Sequence, residues 1–373
     1  RLFLSATPHN GHSNSFSALL ELLDPHRFTR GVKVLKGQLD QIMVRRLKDD
    51  IRALAGGFPE RRVVQVDIKG LPDDAPELKL SALLDQYRDI RQLRLAEATK
   101  RKRAEAALLI SGLQQRLLSS VEAFARTLAV HRRTMERLWA QPAVAKQGAE
   151  TARVRRVQLD MLTGDVDSDD ERSQLPEAES QALEAAEIES ATEATAGDSS
   201  AADVAREKAL LTEMQTVAEQ GRGQPDARVR YLINWIREHM SQGVCLPGTR
   251  SAKPGAPWND IRLLIFTEYE DTRRYLVEML RMAIADTDRA ERRIEVFHGP
   301  TPPDKRDAIK RAFNLPPNDH PVRILVATDA AREGLNLQAH CHHLFHFDVP
   351  WNPSRLEQRN GRIDRKLQPA PEV

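Results

Sequence analysis

The stretch QRNGRIDR, residues 358–365, crowds three arginines and an aspartate around one glycine. On a helix, Arg362 and Arg365 stand three apart and share a face, and Gln358 lies four residues before Arg362 on the same side. A guanidinium fork binds phosphate oxygens in pairs and keeps its proton. Two of them aimed at a γ-phosphate would stabilise charge on a transferring phosphoryl group, an effect on the order of 10³ to 10⁵ in rate. Gly361 allows a backbone or ligand to approach closely. The competing reading is an exposed basic face paired with Glu357 and Asp364. A second stretch, ATDAAREGLNL, residues 327–337, closes a strand with Thr328 and Asp329. Gly334 and Asn336 tolerate positive φ there, so backbone amides can point at a phosphate; an ordinary strand-to-helix turn is the alternative. A third, SATP at residues 5–8, sets the hydroxyls of Ser5 and Thr7 at a strand terminus, where they can link a nucleotide site to its neighbour. Such a strand end is also a common turn. His9, His12 and His298 fall in loops and have no metal-ligand spacing.

These residues need elements to hold them. From about residue 226 the pattern is α/β. RVRYLINWIREHM reads as an amphipathic helix, IRLLIFTEY as a buried strand, and DTRRYLVEMLRMAIA as a helix. RRIEVFHG is a strand, PPDKRDAIKRAFN a helix with proline near its first turn, and VRILVATDAA and CHHLFHFDVP are strands. NPSRLEQRNGRIDR is a closing helix with a glycine inside it. Strands alternating with helices predict a parallel sheet covered on both faces, whose ligands bind beyond the carboxyl ends of the strands.

Upstream, the periodicity predicts helices over SFSALLELL, stopped by Asp24-Pro25, and over QIMVRRLKDDIRAL. RRVVQVDI alternates like a strand. Residues 72–160 read as long helices forming a protrusion or coiled-coil hairpin. Residues 161 to about 205 are rich in Asp, Glu, Ser, Ala and Thr and are expected to be a disordered linker, too poor in apolar surface to offset ordering entropy. The four domains expected are 1–68, 69–160, 161–225 and 226–373.

The chain has 373 residues and a formal charge of +2. Residues 165–205 contain thirteen Asp or Glu and one Arg, so the rest carries 55 basic and 41 acidic residues. That excess suits a polyanionic partner. No apolar run approaches the roughly 18 residues of a membrane span. Two cysteines give neither a disulfide framework nor zinc spacing. The default setting is reducing and intracellular, with a cytoplasmic location expected.

In order along the chain, LSATPHNG, the RRLK of residues 45–48, IFTEY, FHG, ATDAAREGLNL and DVPWNP…QRNGRIDR resemble a superfamily 2 helicase-like ATPase of the Swi/Snf group. The Gly-Arg-Ile-Asp-Arg ending resembles the bacterial branch that includes the RNA-polymerase-recycling ATPase. SATPHNGHSNSFSALLELLDPHRFTRGV resembles the helicase-like subunit of the phage-defence system DISARM. The resemblance covers roughly residues 1–68 and 226–366 and leaves the acidic stretch unexplained.

It implies a complete second RecA-like lobe, preceded by the end of a first lobe and a helical insertion. Ser5 and Thr7 then match motif III, which couples hydrolysis to nucleic-acid contact. Thr328, Asp329, Gly334 and Asn336 match motif V, with Asp329, Gly334 and Asn336 toward nucleotide and Thr328 toward the nucleic-acid backbone. Gln358, Arg362 and Arg365 match motif VI, and Thr267 matches a position near the nucleic-acid backbone. Trp351-Asn352-Pro353 shapes the turn before motif VI. ATP and Mg²⁺ are the implied cofactors, and double-stranded DNA is the implied partner, with RNA as the alternative. Subunits of a defence complex are further implied partners.

A phosphate-cradling G-x-x-x-x-G-K-[ST] loop is part of such an engine, yet no Gly-Lys dipeptide occurs in the chain. The one Asp-Asp-Glu, residues 169–171, lies in the acidic stretch. The expectation is a fragment that opens within motif III, whose Mg²⁺ ligands lie upstream and which does not hydrolyse ATP unaided. A rival from another class is a non-catalytic nucleic-acid-binding or scaffolding module.

Overall fold

In a computed structural model the protein is described over residues 2–3, 13–44, 57–140, 177–195, 200–329 and 336–373. Its organising feature is a four-stranded sheet in the order β2-β3-β1-β4, parallel throughout. The strands are β1 (Leu263–Thr267), β2 (Ile294–Phe297), β3 (Ile324–Thr328) and β4 (His343–His346). LLIFT and ILVAT are buried at every position, as continuous apolar runs must be when helices cover both faces. Leu263 and Ile265 face a core that includes Val229, Leu232 and Ile236 of one helix, Ala227–His239, and Leu276 and Leu280 of another, Glu270–Ile284. Leu264 and Phe266 face the opposite core with Ile309 and Phe313 of the helix Pro303–Asn314. Thr267 pairs in register with Thr328, so β1 and β3 end level at the carboxyl edge.

The segments preceding the sheet are helical. In chain order they are α1 (Ser13–Leu23), α2 (Lys36–Leu39), α3 (Pro76–Arg94), α4 (Lys100–Ser119), α5 (Val121–Ala140), α6 (Glu177–Thr195) and α7 (Ala201–Gly221). The three helices already named are α8 (Ala227–His239), α9 (Glu270–Ile284) and α10 (Pro303–Asn314), and the last is α11 (Pro353–Asn360). Helices α3, α4, α5 and α7 share a core of Leu80, Tyr87, Leu113, Phe124, Leu128, Leu211 and Met214. Inside it, His131 bonds Tyr87 Oη through Nε2 at 2.8 Å and Thr192 Oγ1 through Nδ1 at 2.8 Å. Thr192 donates its own proton to Ile188 O at 2.7 Å, so Nδ1–H is the donor and Nε2 accepts from Tyr87. Burial holds that imidazole neutral, its pKa pushed down to about 3.

Three expectations are corrected. The acidic stretch expected to be disordered is helical in its described part, 177–195 and 201–221. Ile188, Ala191, Thr192 and Thr195 form a buried stripe on α6, and Leu211, Met214, Val217, Ala218 and Gly221 form one on α7. Gly221 packs closely there: a Cβ would meet Pro76 Cβ at 3.1 Å and Val121 Cγ1 at 3.2 Å. The strand expected over RRVVQVDI does not form; residues 61–68 carry no ladder and Val63 and Val64 are exposed. One isolated bridge joins Glu60 to Glu372. Residues 41–44 of the helix expected over QIMVRRLKDDIRAL are not helical, and its RRLK lies outside the described residues, as do Ser5, Thr7, His9, His12 and Gly334.

Candidate active site

The carboxyl edge of the sheet is a buried charge cluster. Glu268 follows β1, Asp329 follows β3, Asp348 follows β4, and α11 supplies Arg355 and Arg359. The helix starts where Asn352 Oδ1 accepts from Ser354 N at 2.9 Å, with Pro353 in its first turn. Its inward face carries Arg355 and Arg359, four residues apart, both buried. Arg359 is wholly inaccessible. It donates from Nε and Nη2 to the two carboxylate oxygens of Asp329, each at 2.7 Å, and from Nη1 to Asp348 O at 2.6 Å. A bidentate pair of this kind fixes geometry as well as charge. Arg355 donates to Glu268 at 3.1 Å. Burial, then the nearby Asp348 carboxylate, push Glu268 up to about 8 despite Arg355.

Asp348 is the hub. Its Oδ2 accepts from Thr267 Oγ1 at 2.6 Å and from Ser119 Oγ at 2.6 Å, while Oδ1 accepts from Glu268 N at 2.8 Å. Thr267 is fully buried and its hydroxyl donates to Asp348. Asp329 is likewise committed to Arg359. Thr328 is buried, and its Oγ1 makes no hydrogen bond among the described residues. Asn336 is exposed, with its carbonyl held by Asn314 Nδ2 at 2.7 Å.

The closing helix ends sooner than expected. It stops at Asn360, and Gly361 caps it with φ −61°. Arg362 and Arg365 thus lie in the turns that follow and do not share a helical face with Gln358, which is half-buried on α11. A Cβ on Gly361 would meet the carbonyls of Glu357 at 3.2 Å and Gln358 at 3.4 Å. The close approach at this glycine is that of its own helix. Arg362 is buried, and its carbonyl accepts from Leu337 N at 3.2 Å, tying this turn to the segment after β3.

Arg365 differs. It is half-buried and its Nε donates to Gly361 O at 2.6 Å. Among the described residues, no carboxylate pairs with it and neither terminal amine makes a hydrogen bond. Two acids of the same segment pair instead with Arg61. It reaches Glu357 Oε1 at 2.8 Å and Asp364 Oδ2 at 2.6 Å, and these ion pairs raise its own pKa although burial opposes them. The segment around Arg61 is held by main-chain bonds Glu60 N to Pro371 O at 2.8 Å and Arg62 N to Val373 O at 2.8 Å.

A half-buried guanidinium fork with no ion pair among the described residues fits a phosphate group. The carboxylates of this edge do not fit Mg²⁺, because Asp329, Asp348 and Glu268 are all engaged by arginines or hydroxyls. No cluster of three or more His, Cys, Asp or Glu poised for a metal occurs among the described residues. Arg61, Asp348, Glu268, Arg355 and Arg359 were not singled out by sequence reasoning. The four-residue spacing of Arg355 and Arg359 was the signal available for the last two.

Residues 259–366 match the family model described as the helicase conserved C-terminal domain. Over 107 residues the chain is 39% identical to an uncharacterized ATP-dependent helicase, YqhH, of Bacillus subtilis (strain 168), covering 28% of this chain and 17% of that protein. Among solved structures, the C-terminal part of the Fun30 ATPase domain aligns with a TM-score of 0.38 and 10% identity, over 85% of this chain and 84% of that one. The Pyrococcus furiosus Hef helicase domain aligns with a TM-score of 0.40 and 18% identity, over 85% and 55%. Residues 259–366, the part of the chain that matches this family model, form an α/β unit on a parallel sheet.

Proposed function

We propose that the chain supplies the second lobe of an ATP-driven, Swi/Snf-type translocase that acts on double-stranded DNA. Arg365 carries the reading: it is a half-buried cation whose acidic neighbours are held by Arg61. Lobe closure over ATP and Mg²⁺ would bring its fork to the γ-phosphate, with Arg362 as the second cation. The nucleotide supplies the phosphoryl group; Arg365 binds its oxygens, and the Arg359–Asp329 pair keeps the arginine segment in place. Water exclusion on closure strengthens those contacts. Gln358 lies on the same helix for contact with the nucleotide. The 373 residues contain no Gly-Lys dipeptide, so a P-loop would have to come from another segment or polypeptide, and the chain by itself is expected not to turn over ATP.

The ordered motifs and the basic excess outside the acidic stretch support a polyanionic track. Contacts to the phosphate backbone, not base edges, would make binding sequence-tolerant and salt-sensitive. The bacterial-branch motifs favour work in phage defence or transcription-related DNA handling. No helix among the described residues is long and apolar enough to cross a membrane.

The test is ATP turnover by the full-length polypeptide, with duplex DNA, duplex RNA or neither. Duplex DNA should stimulate it, and Arg365→Ala should lower kcat by about 10³ while leaving DNA affinity within about twofold. Near-normal turnover in that variant would remove the finger assignment. Stimulation by RNA alone would favour an RNA helicase, and binding without turnover a scaffolding module.

A further inference from the structure

The helical bundle and the sheet domain meet at the turn between α4 and α5, and the polar groups buried there are arranged in one direction. Ser119 and Ser120 form that turn, Thr272 lies on α9, and Asp348 follows β4; all four are buried. Ala123 N donates to Ser120 Oγ at 3.0 Å. Ser120 Oγ and Thr272 Oγ1 are 2.7 Å apart, as are Thr272 Oγ1 and Ser119 Oγ. Ser119 Oγ donates to Asp348 at 2.6 Å. A carboxylate only accepts, so the proton of Ser119 is fixed toward Asp348. Ser119 then accepts from Thr272, and Thr272 from Ser120. Every hydroxyl donates once and accepts once, and the chain of bonds runs from the first turn of α5 to Asp348 without an unused proton.

Ordinary interface packing would not need this. Hydroxyls buried between two bodies are costly unless satisfied, and aligned bonds strengthen one another. The far end of the chain is also specific: Asp348 holds Arg359 through its main-chain oxygen, and Arg359 fixes Asp329 bidentately. The bundle is further seated by Arg228, which donates to Leu118 O and lies over the Phe347 ring at 5.2 Å. Phe347 immediately precedes Asp348.

The geometry points to the Ser119–Ser120 turn as a positioning element for the arginine segment, acting through Asp348 and Arg359, so that the seating of the helical bundle governs the orientation of residues 353–366. Its consequence for turnover rests on the ATPase reading above; the coupling itself does not. A partner or nucleic acid that shifts the bundle would reach the arginines by this route.

Hydrogen–deuterium exchange on the 373-residue chain tests the coupling. Ser119→Ala removes one bond to a charged acceptor, and amides of residues 353–366 should exchange about tenfold faster, with α8 unchanged. Thr272→Val interrupts the chain one step earlier while leaving every direct bond to Asp348 in place. It should give a smaller acceleration, about threefold, at the same amides, and it serves if Ser119→Ala does not fold. Exchange that rises only around residues 115–125 and 268–275 would overturn the proposal and leave a local packing contact. In the full-length polypeptide, Ser119→Ala should also lower DNA-stimulated kcat several-fold with the KM for ATP unchanged. A wild-type protein without turnover would sink the ATPase reading while leaving the exchange result to stand or fall alone.

Discussion

Arg359 and Arg365 are six residues apart, in one motif, with opposite environments. Arg359 is enclosed and neutralised by Asp329 and Asp348; Arg365 is half-buried with no ion pair among the described residues, while Arg61 pairs with Glu357 and Asp364. Residue types and spacing show a cluster of guanidinium groups, but not which of them a carboxylate from another strand will neutralise. That choice depends on contacts 30 residues away for Asp329 and 303 away for Arg61. The same dependence holds for Thr267, whose hydroxyl donates to a residue 81 positions on. Glu268 gives a titration test of the cluster. Its pKa is pushed from the ordinary 4.5 to about 8 by burial and Asp348. The folded state therefore holds a proton that the unfolded state has released. Its contribution is complete below about pH 4.5 and is lost as pH rises to 8, at up to about 1.4 kcal/mol per pH unit. Glu268→Gln should abolish that slope in denaturant titrations between pH 5 and 8. Parallel slopes for the two proteins would show Glu268 to be ionised throughout.

At the scale of elements, the α/β half was legible because its signals are strong and local. Continuous apolar runs gave β1 within two residues of its ends and β3 within three, and the amphipathic patterns gave α8, α9 and α10. The miss at α6 and α7 has a physical origin. Charge averaged over 40 residues conceals a stripe of Ile, Ala and Thr at helical spacing, and a helix needs only one such face when a bundle waits to receive it. RRVVQVDI failed in the opposite sense: its alternation is real, but no neighbouring strand offers a ladder, so Val63 and Val64 stay exposed. The closing helix was overextended because Gly361 was read as interior when it is a cap. Leu211, wholly buried on α7, tests the correction. Leu211→Ala should cost about 2–5 kcal/mol in urea unfolding, whereas a stretch without packed structure would tolerate the change within about 0.5 kcal/mol.

For the whole molecule, two bodies are joined at the point where chemistry is proposed. The bundle of α3 to α7 sits on α9 and the loop after β4, against the carboxyl edge of the sheet. The segment around Arg61 reaches across to the chain's last residues and controls the acids beside Arg365. An arrangement of this kind makes sense for a site completed by closure: Arg365 is held ready, Arg359 is locked, and the lock is wired to a separate helical body. The measurement closest to that claim is a structure of the full-length polypeptide with Mg²⁺ and a non-hydrolysable ATP analogue. In that complex the terminal amines of Arg365 should lie within about 3 Å of γ-phosphate oxygens, with Arg359 still bidentate on Asp329. A closed complex in which Arg365 points into bulk solvent, with the γ-phosphate held by other cations, would contradict it.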